Sequence, residues 1–217
     1  GVPATAVAPE TGESHLANIR QLTFGGQNAE AYFSADGKWH TFQRSPTDEP
    51  GVCDQQYVMK VDGSALRRVS NGGGKTTCGY FYDGDRRVFF ASTHAASPAC
   101  PPRPDYSLGY VWPLDDYDLW STRPDGSDLQ RITDSPGYDA EGTLSPDGRT
   151  IAFTSQRDGD LDIYLMAPDG SNLRRLTTTV GYDGGPFWSH DGTKIVFRAD
   201  HPATPEAEAQ FRDLLSR

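Results

Sequence analysis

The sequence predicts an all-β chain: four-stranded antiparallel sheets standing side by side about a common axis, a β-propeller, followed by a short C-terminal helix. Three observations carry this. Ile132 in Leu129-Gln-Arg-Ile-Thr133 stands 44 positions before Leu176 in Leu173-Arg-Arg-Leu-Thr177, and Asp125-Gly126 stands 44 before Asp169-Gly170. Between these copies lie hairpin signals, Ser145-Pro-Asp-Gly148 and Asp169-Gly-Ser171, in which Pro presets φ and Gly takes a positive one. Between the turns run short alternating apolar stretches, Ile151–Ser155 and Asp162–Met166. A period of about 40–45 residues with four strands is a blade. One such sheet has two apolar faces and must bury each against a neighbour.

Residues 1–17, small and turn-rich, read as a flexible leader. Residues 18–23 read as a lone outer strand that closes the ring by completing the last blade. Blade 1 follows over 24–70, with inner strand Ala31–Ser34, then Trp39–Gln43, Gln55–Val61 and Leu66–Ser70. Blade 2 covers 71–133, with strands at Gly79–Tyr82, Arg87–Ser92, Tyr117–Thr122 and Leu129–Thr133. Its Asp62-Gly63 to Asp125-Gly126 spacing is 63 rather than 44, and the excess is an inserted loop over 93–116. Proline and aromatic residues there (Cys100-Pro-Pro-Arg-Pro104, Gly109-Tyr-Val-Trp-Pro113) point to an ordered flap, either a recognition loop or a cover over a blade edge. Blade 3 spans 134–177, and a partial blade 4 spans 178–200. Thr204-Pro205-Glu206 then starts a helical segment, 204–217, with an N-cap residue, proline at the first position and acids in the first turn.

Leu-Arg-Arg-Leu-Thr, Ser-x-Asp-Gly, Ile-Tyr-x-Met and Asp-Gly-Ser, in this order and spacing, resemble the WD40-like (PD40) repeats of TolB-type β-propellers, from about Ile19 to Ala199. The resemblance implies a ring of about six blades, of which some 3.5–4 are present, so the missing blades would come from the rest of a longer chain or from another copy. It also implies a periplasmic or secreted protein acting as an interaction module.

The totals narrow the partners. Lys and Arg number 20 against 30 acids, a net charge of −10, which disfavours nucleic acid and anionic membrane surfaces. No apolar run approaches the ~18–20 residues that span a bilayer. The chain opens on Gly1 with no signal peptide in view, so one has been removed or the chain starts downstream of it. The cysteines, Cys53, Cys78 and Cys100, allow one bridge and one free thiol, in any of the possible pairings.

Counting back from the Asp-Gly turns aligns Asn28, Asp139 and Asp183 at one position and Glu30, Glu141 and Gly185 two residues later, with Thr76 and Cys78 the counterparts in blade 2. Inner strands line the axis of a propeller, so Asn28, Glu30, Asp139, Glu141 and Asp183 are expected to ring the channel mouth. Converging carboxylates invite a divalent cation such as Ca²⁺; the alternative is a water-filled acidic funnel held by loop amides. The alternating acids Asp158, Asp160 and Asp162 lack the Gly and distal Glu of a calcium loop and read as structural turn residues. His94 lies on the same face as Cys78, where a nucleophile–base pair or a structural role are both readings. Tyr138 and Tyr182 repeat too regularly to belong to one site and are expected to pack between blades. Cys78, His94, Tyr110 and Trp112 are the candidate binding residues beside the mouth. No Gly-x-Ser-x-Gly elbow, phosphate loop or His-Glu-x-x-His is present. The reading is a non-enzymatic extracytoplasmic module that binds a protein partner with the acidic mouth and the flap. The alternatives are a metal-dependent (Ca or Mn) lyase or hydrolase, or a substrate-gating domain of a larger enzyme.

Overall fold

Each repeat folds as an antiparallel meander whose first strand is innermost. The structure, a computed structural model, describes residues 4–45, 51–107, 109 and 112–215. After a ribbon of β1 (Thr5–Ala6) and β2 (Arg20–Gln21), blade 1 consists of β3 (Gln27–Phe33), β4 (Trp39–Ser45), β5 (Gln55–Lys60) and β6 (Arg67–Arg68). Blade 2 consists of β7 (Thr76–Tyr82), β8 (Arg87–Ser92), β9 (Asp118–Thr122) and β10 (Gln130–Arg131). Blade 3 consists of β11 (Asp139–Leu144), β12 (Ile151–Ser155), β13 (Asp162–Met166) and β14 (Arg174–Arg175). A half blade, β15 (Tyr182–Trp188) and β16 (Ile195–Asp200), is followed by α1 (Pro205–Leu215). Blades 1 to 3 are four-stranded sheets in sequence order, and neighbouring inner strands pack side by side from β3 to β15.

The recurring phrases hold this stack together. In Leu-x-x-Leu/Ile-Thr the Thr hydroxyl accepts the amide of the next strand inward: Leu119 N–H to Thr133 Oγ1 and Ile163 N–H to Thr177 Oγ1, both at 2.9 Å, with Gln56 N–H to Ser70 Oγ at 3.1 Å in blade 1. Ile132 and Leu176 occupy matching places, their amides donating to Leu119 O at 2.8 Å and Ile163 O at 2.7 Å. The Gly of Asp-Gly-Ser rests on the outer strand of the preceding blade: a Cβ on Gly170 would lie 2.9 Å from Ile132 O, and one on Gly126 would lie 3.5 Å from Arg68 O. The interiors between blades are apolar. Phe90, Val88, Val58, Val69 and Phe81 fill the space between blades 1 and 2. Leu119, Tyr138, Ile151, Phe153 and Leu161 fill the next cluster, and β12 is buried along its whole length. Each such large side chain contributes about 1.5–3 kcal/mol on burial. Tyr138 and Tyr182 pack here, between blades, as expected.

The structure corrects two boundaries. Arg20–Gln21 pairs with Thr5–Ala6, so residues 18–23 form a ribbon with the leader and not the outer edge of the last blade. Among the described residues the sheet of β15 and β16 has two strands, and Arg20–Gln21 is not one of them. The inner strands also start earlier than the apolar pattern suggests, because each contains a bulge that interrupts the alternation and then continues pairing. The helix begins where its signals place it, with Thr204 Oγ1 accepting the Ala207 amide at 3.2 Å.

The flap is tied down covalently. A disulfide joins Cys53, between β4 and β5 of blade 1, to Cys100 in the insert of blade 2, with Cα atoms 5.7 Å apart. The Gly74 amide also donates to Pro98 O at 2.9 Å. The insert therefore leans over blade 1. Cys78 is the free thiol.

Candidate functional site: the hub mouth and the flap

The four inner-strand bulges fall at one structural position. Register slips between Ala29 and Tyr32, Thr77 and Tyr80, Ala140 and Thr143, and Gly184 and Phe187. In each, the first skipped residue takes a left-handed backbone: Glu30 at φ 52°, Cys78 at 51°, Glu141 at 55° and Gly185 at 61°. Only Gly185 does so without a Cβ penalty. A bulge re-aims its side chain, and these four residues line one cavity of about 200 Å³ at the hub. The second set of aligned positions from the sequence therefore does converge.

Glu141 is held from several sides. Its Oε2 accepts Thr154 Oγ1 and the Gly185 amide, both at 2.8 Å, while Arg198 reaches its Oε1 at 3.3 Å. Glu30 accepts the Tyr32 hydroxyl. The Cys78 amide lies 3.4 Å from Gln43 Oε1, which Thr77 Oγ1 also reaches at 2.9 Å. Burial pushes the Cys78 thiol up to about 12, so it stays protonated at neutral pH. Beside the carboxylates, Tyr32 and Tyr80 contact each other at 4.0 Å between ring centroids, and Phe187 lies 6.2 and 6.1 Å from them. Burial raises both phenols well above their usual range.

The first aligned set does not join them. The amides of Thr76, Asp139 and Asp183 donate to Asp54 O, Tyr117 O and Leu161 O of the preceding blade at 2.8, 2.9 and 2.8 Å. These are the points where consecutive blades are stitched. Asp139, fully buried, accepts Ser155 Oγ at 2.6 Å, Ser135 Oγ at 2.7 Å and the Arg157 guanidinium at 2.8 Å. Asp183 faces His201 Nε2 at 2.9 Å, and Asn28 Nδ2 donates to Gly25 O at 3.1 Å. The left-handed residue breaks the two-residue alternation, so position 139 no longer shares a face with 141. Of the five expected oxygen ligands, only Glu30 and Glu141 line the shared cavity. Among the described residues no three His, Cys, Asp or Glu side chains are grouped as a metal-holding cluster.

His94 is not a partner of Cys78. Its ring packs on Trp120 at 4.1 Å between centroids and its Nδ1 meets Ser92 Oγ at 2.7 Å, while burial lowers its pKa below the ordinary imidazole value. Trp112 anchors the insert from beneath: its indole N–H donates to the Tyr138 hydroxyl at 3.0 Å, and the Lys75 ammonium sits 4.6 Å over its ring. Tyr110 lies outside the described residues. Asp158, Asp160 and Asp162 act structurally: Asp162 pairs with Arg175 and Thr177, Asp160 accepts the Leu161 and Gly181 amides, and Asp158 accepts Tyr164 OH. Missed by sequence reasoning were the mouth residues Tyr32, Tyr80, Phe187 and Arg198. The recurring Tyr-Phe in Ala31-Tyr-Phe33 and Gly79-Tyr-Phe81 is the signal that marks the first two.

Comparison with known proteins agrees with this architecture. Residues 111–214 match the family described as Tricorn protease N-terminal beta propeller domain. A stretch of 34 residues is 59% identical to the Tol-Pal system protein TolB of Bordetella pertussis, covering 16% of this chain and 8% of that protein. The chain thus spans less than a tenth of the curated relatives it matches. Among solved structures, TolB from Acinetobacter baumannii is similar with a TM-score of 0.62 at 22% identity, over 82% of this chain and 39% of that one. The putative TolB from Agrobacterium tumefaciens gives 0.59 at 22% identity, over 81% and 55%. The fold is that of a TolB-like β-propeller.

Proposed function

We propose that this chain is a non-enzymatic interaction module working outside the cytoplasm, which engages a protein partner through its hub mouth and flap. One observation carries the reading. Three non-glycine residues, Glu30, Cys78 and Glu141, are held in a left-handed conformation at matching bulges around one cavity. Strain of this kind, about 1–3 kcal/mol per residue, persists where the surrounding structure over-determines it and gathers at binding and switch sites. The chemistry of the mouth favours binding over turnover. Its thiol is kept protonated, and Glu141 is already satisfied by Thr154, Gly185 and Arg198. The Cys53–Cys100 disulfide supports an oxidising compartment. From the name Tol-Pal system protein carried by the relatives, we take over only assembly with a protein partner.

A photo-crosslinking amino acid placed at Phe187, beside the mouth, and separately at Leu173, on the outer rim, tests this. Adducts identified by mass spectrometry are expected from position 187 and not from 173; equal adducts from both would overturn the mouth as the binding face. Millimolar Ca²⁺ or Mn²⁺ is expected to leave the thermal midpoint unchanged. A calorimetric binding signal lost in Glu30→Gln/Glu141→Gln would instead favour the metal-dependent reading.

A further inference from the structure

Two partial sheets of the chain are halves of one unit. In blades 1, 2 and 3 the outer strand opens on Leu66-Arg-Arg68, Leu129-Gln-Arg131 and Leu173-Arg-Arg175. The residue after each Leu always faces the same place on the third strand: Arg67 opposite Val58, Gln130 opposite Ser121 and Arg174 opposite Leu165. Those three residues lie in turn opposite Thr41, Phe89 and Ala152 of the second strand. The N-terminal ribbon has the same build. Ile19-Arg-Gln21 repeats the phrase, Arg20 lies opposite Ala6 and Gln21 opposite Thr5, and the Val7 amide donates to Ile19 O at 3.0 Å. β1 and β2 are therefore a third and an outer strand in the register of the repeat, in a sheet without a first and second strand. β15 and β16 are a first and second strand in a sheet without a third.

Both halves expose apolar surface where the other half of a blade belongs. Val196 and Phe197 follow Ala152 and Phe153 by 44 positions. The earlier pair is fully buried, whereas Val196 is 69% exposed and Phe197 38%. The helix that follows does not cover them, since its Leu215 packs against the cluster of Tyr138, Phe153 and Leu161. At the other end, Phe33 stands opposite His40 as Phe81 stands opposite Val88 in blade 2. Phe81 is buried with Val58 and Val69 of the blade before it, but Phe33 is 66% exposed.

We propose that the ribbon of one copy of this chain docks on β16 of a second copy, completing a four-stranded blade across the interface with Ala6 opposite Val196 and Thr5 opposite Phe197. The register follows from blade 3, where Ala152 faces Leu165 and Phe153 faces Tyr164. A second copy is the occupant because, within one copy, three complete blades separate the two halves and they form separate sheets. Strand addition satisfies the open edge with backbone hydrogen bonds and covers Val196. The completed blade also stands against blade 1, on the flank that carries Phe33. Ribbon and half blade are different surfaces, so the contact is head-to-tail, and reciprocal exchange between two copies leaves neither half open. The interface is independent of the hub mouth.

The test mixes two single variants, Ala6→Cys and Val196→Cys, both at exposed positions, under mild oxidation with copper phenanthroline. Mass spectrometry of the peptides is expected to find a disulfide joining position 6 of one copy to position 196 of another. Its yield should be at least about fivefold that from Ala6→Cys mixed with Ala199→Cys, an equally exposed position on β16, because opposite Cβ atoms lie about 4.5–5.5 Å apart and three positions along a strand add about 10 Å. Equal yields from the two mixtures, or no linkage in either, would overturn the docking. The double variant Ala6→Cys/Val196→Cys separates a second copy from self-closure: linked dimers are expected on a denaturing gel, and a linked monomer would overturn the second copy as the occupant.

Discussion

At the start of β9, Asp118 pairs with the Arg131 guanidinium at 2.7 Å, yet burial dominates and pushes its carboxyl up to about 6. The usual unfolded value is about 3.9. Between those values the folded chain keeps a proton that the unfolded chain has released. This group's contribution to stability is therefore fully present below about pH 4 and is lost as the pH rises through about 6. Asp118→Asn removes the titration with little change of shape, so its thermal midpoint should vary less across that window than the wild type's. Parallel melting curves for the two proteins would contradict the shift. Gly170 makes the second prediction at this scale. Its φ is 84° and an added Cβ would lie 2.9 Å from the Ile132 carbonyl, so Gly170→Ala should destabilise by about 2–3 kcal/mol. Gly126→Ala, with φ at 83° but the nearest atom at 3.5 Å, should lose only the backbone cost of about 1–2 kcal/mol. Denaturant titration of both separates the contact from the conformation.

Strands and turns were the most legible level, because each recurring phrase has a local job that follows from its residues. Ser34, Ser145 and Ser189 each bond the Asp two positions on, closing the same hairpin in three blades. The Thr of Thr133 and Thr177 caps an amide of the next strand inward. The bulge was not legible. Glu30 and Glu141 are both acids, but Cys78 and Gly185 share no chemistry with them or with each other, so nothing in the four identities announces a common left-handed backbone. Counting back from the Asp-Gly turns therefore placed Asn28, Asp139 and Asp183 at the mouth, where an unbroken alternation would have put them beside Glu30 and Glu141. The disulfide was equally hidden, since its cysteines are 47 residues apart and in different blades. At this scale the flap supplies a further prediction: reducing that bond, or replacing Cys53 and Cys100 by Ser, should cost about 2–4 kcal/mol. Thermal melts with and without reductant measure it, and an unchanged midpoint would mean the insert is held by its other contacts alone.

As a whole, the molecule is an arc with apolar surface left at both ends. Phe33 on β3 is 66% exposed and Val196 on β16 is 69% exposed. Among the described residues β16 also has no partner along its outer edge. Unpaired edges and large apolar faces invite association. Val196→Lys should accordingly lower the weight-average mass seen by sedimentation at high concentration; an identical concentration dependence for both proteins would show that this face stays out of contact. The arc's inner curve has a different fate. Its kink is imposed by ladder pairing on either side, and blade by blade the same bend accommodates an acid, a thiol, a second acid and no side chain at all. Each pivot can thus be exchanged without renegotiating the scaffold, which makes the rim behave like a keyboard whose notes are swapped one at a time while the frame stays tuned.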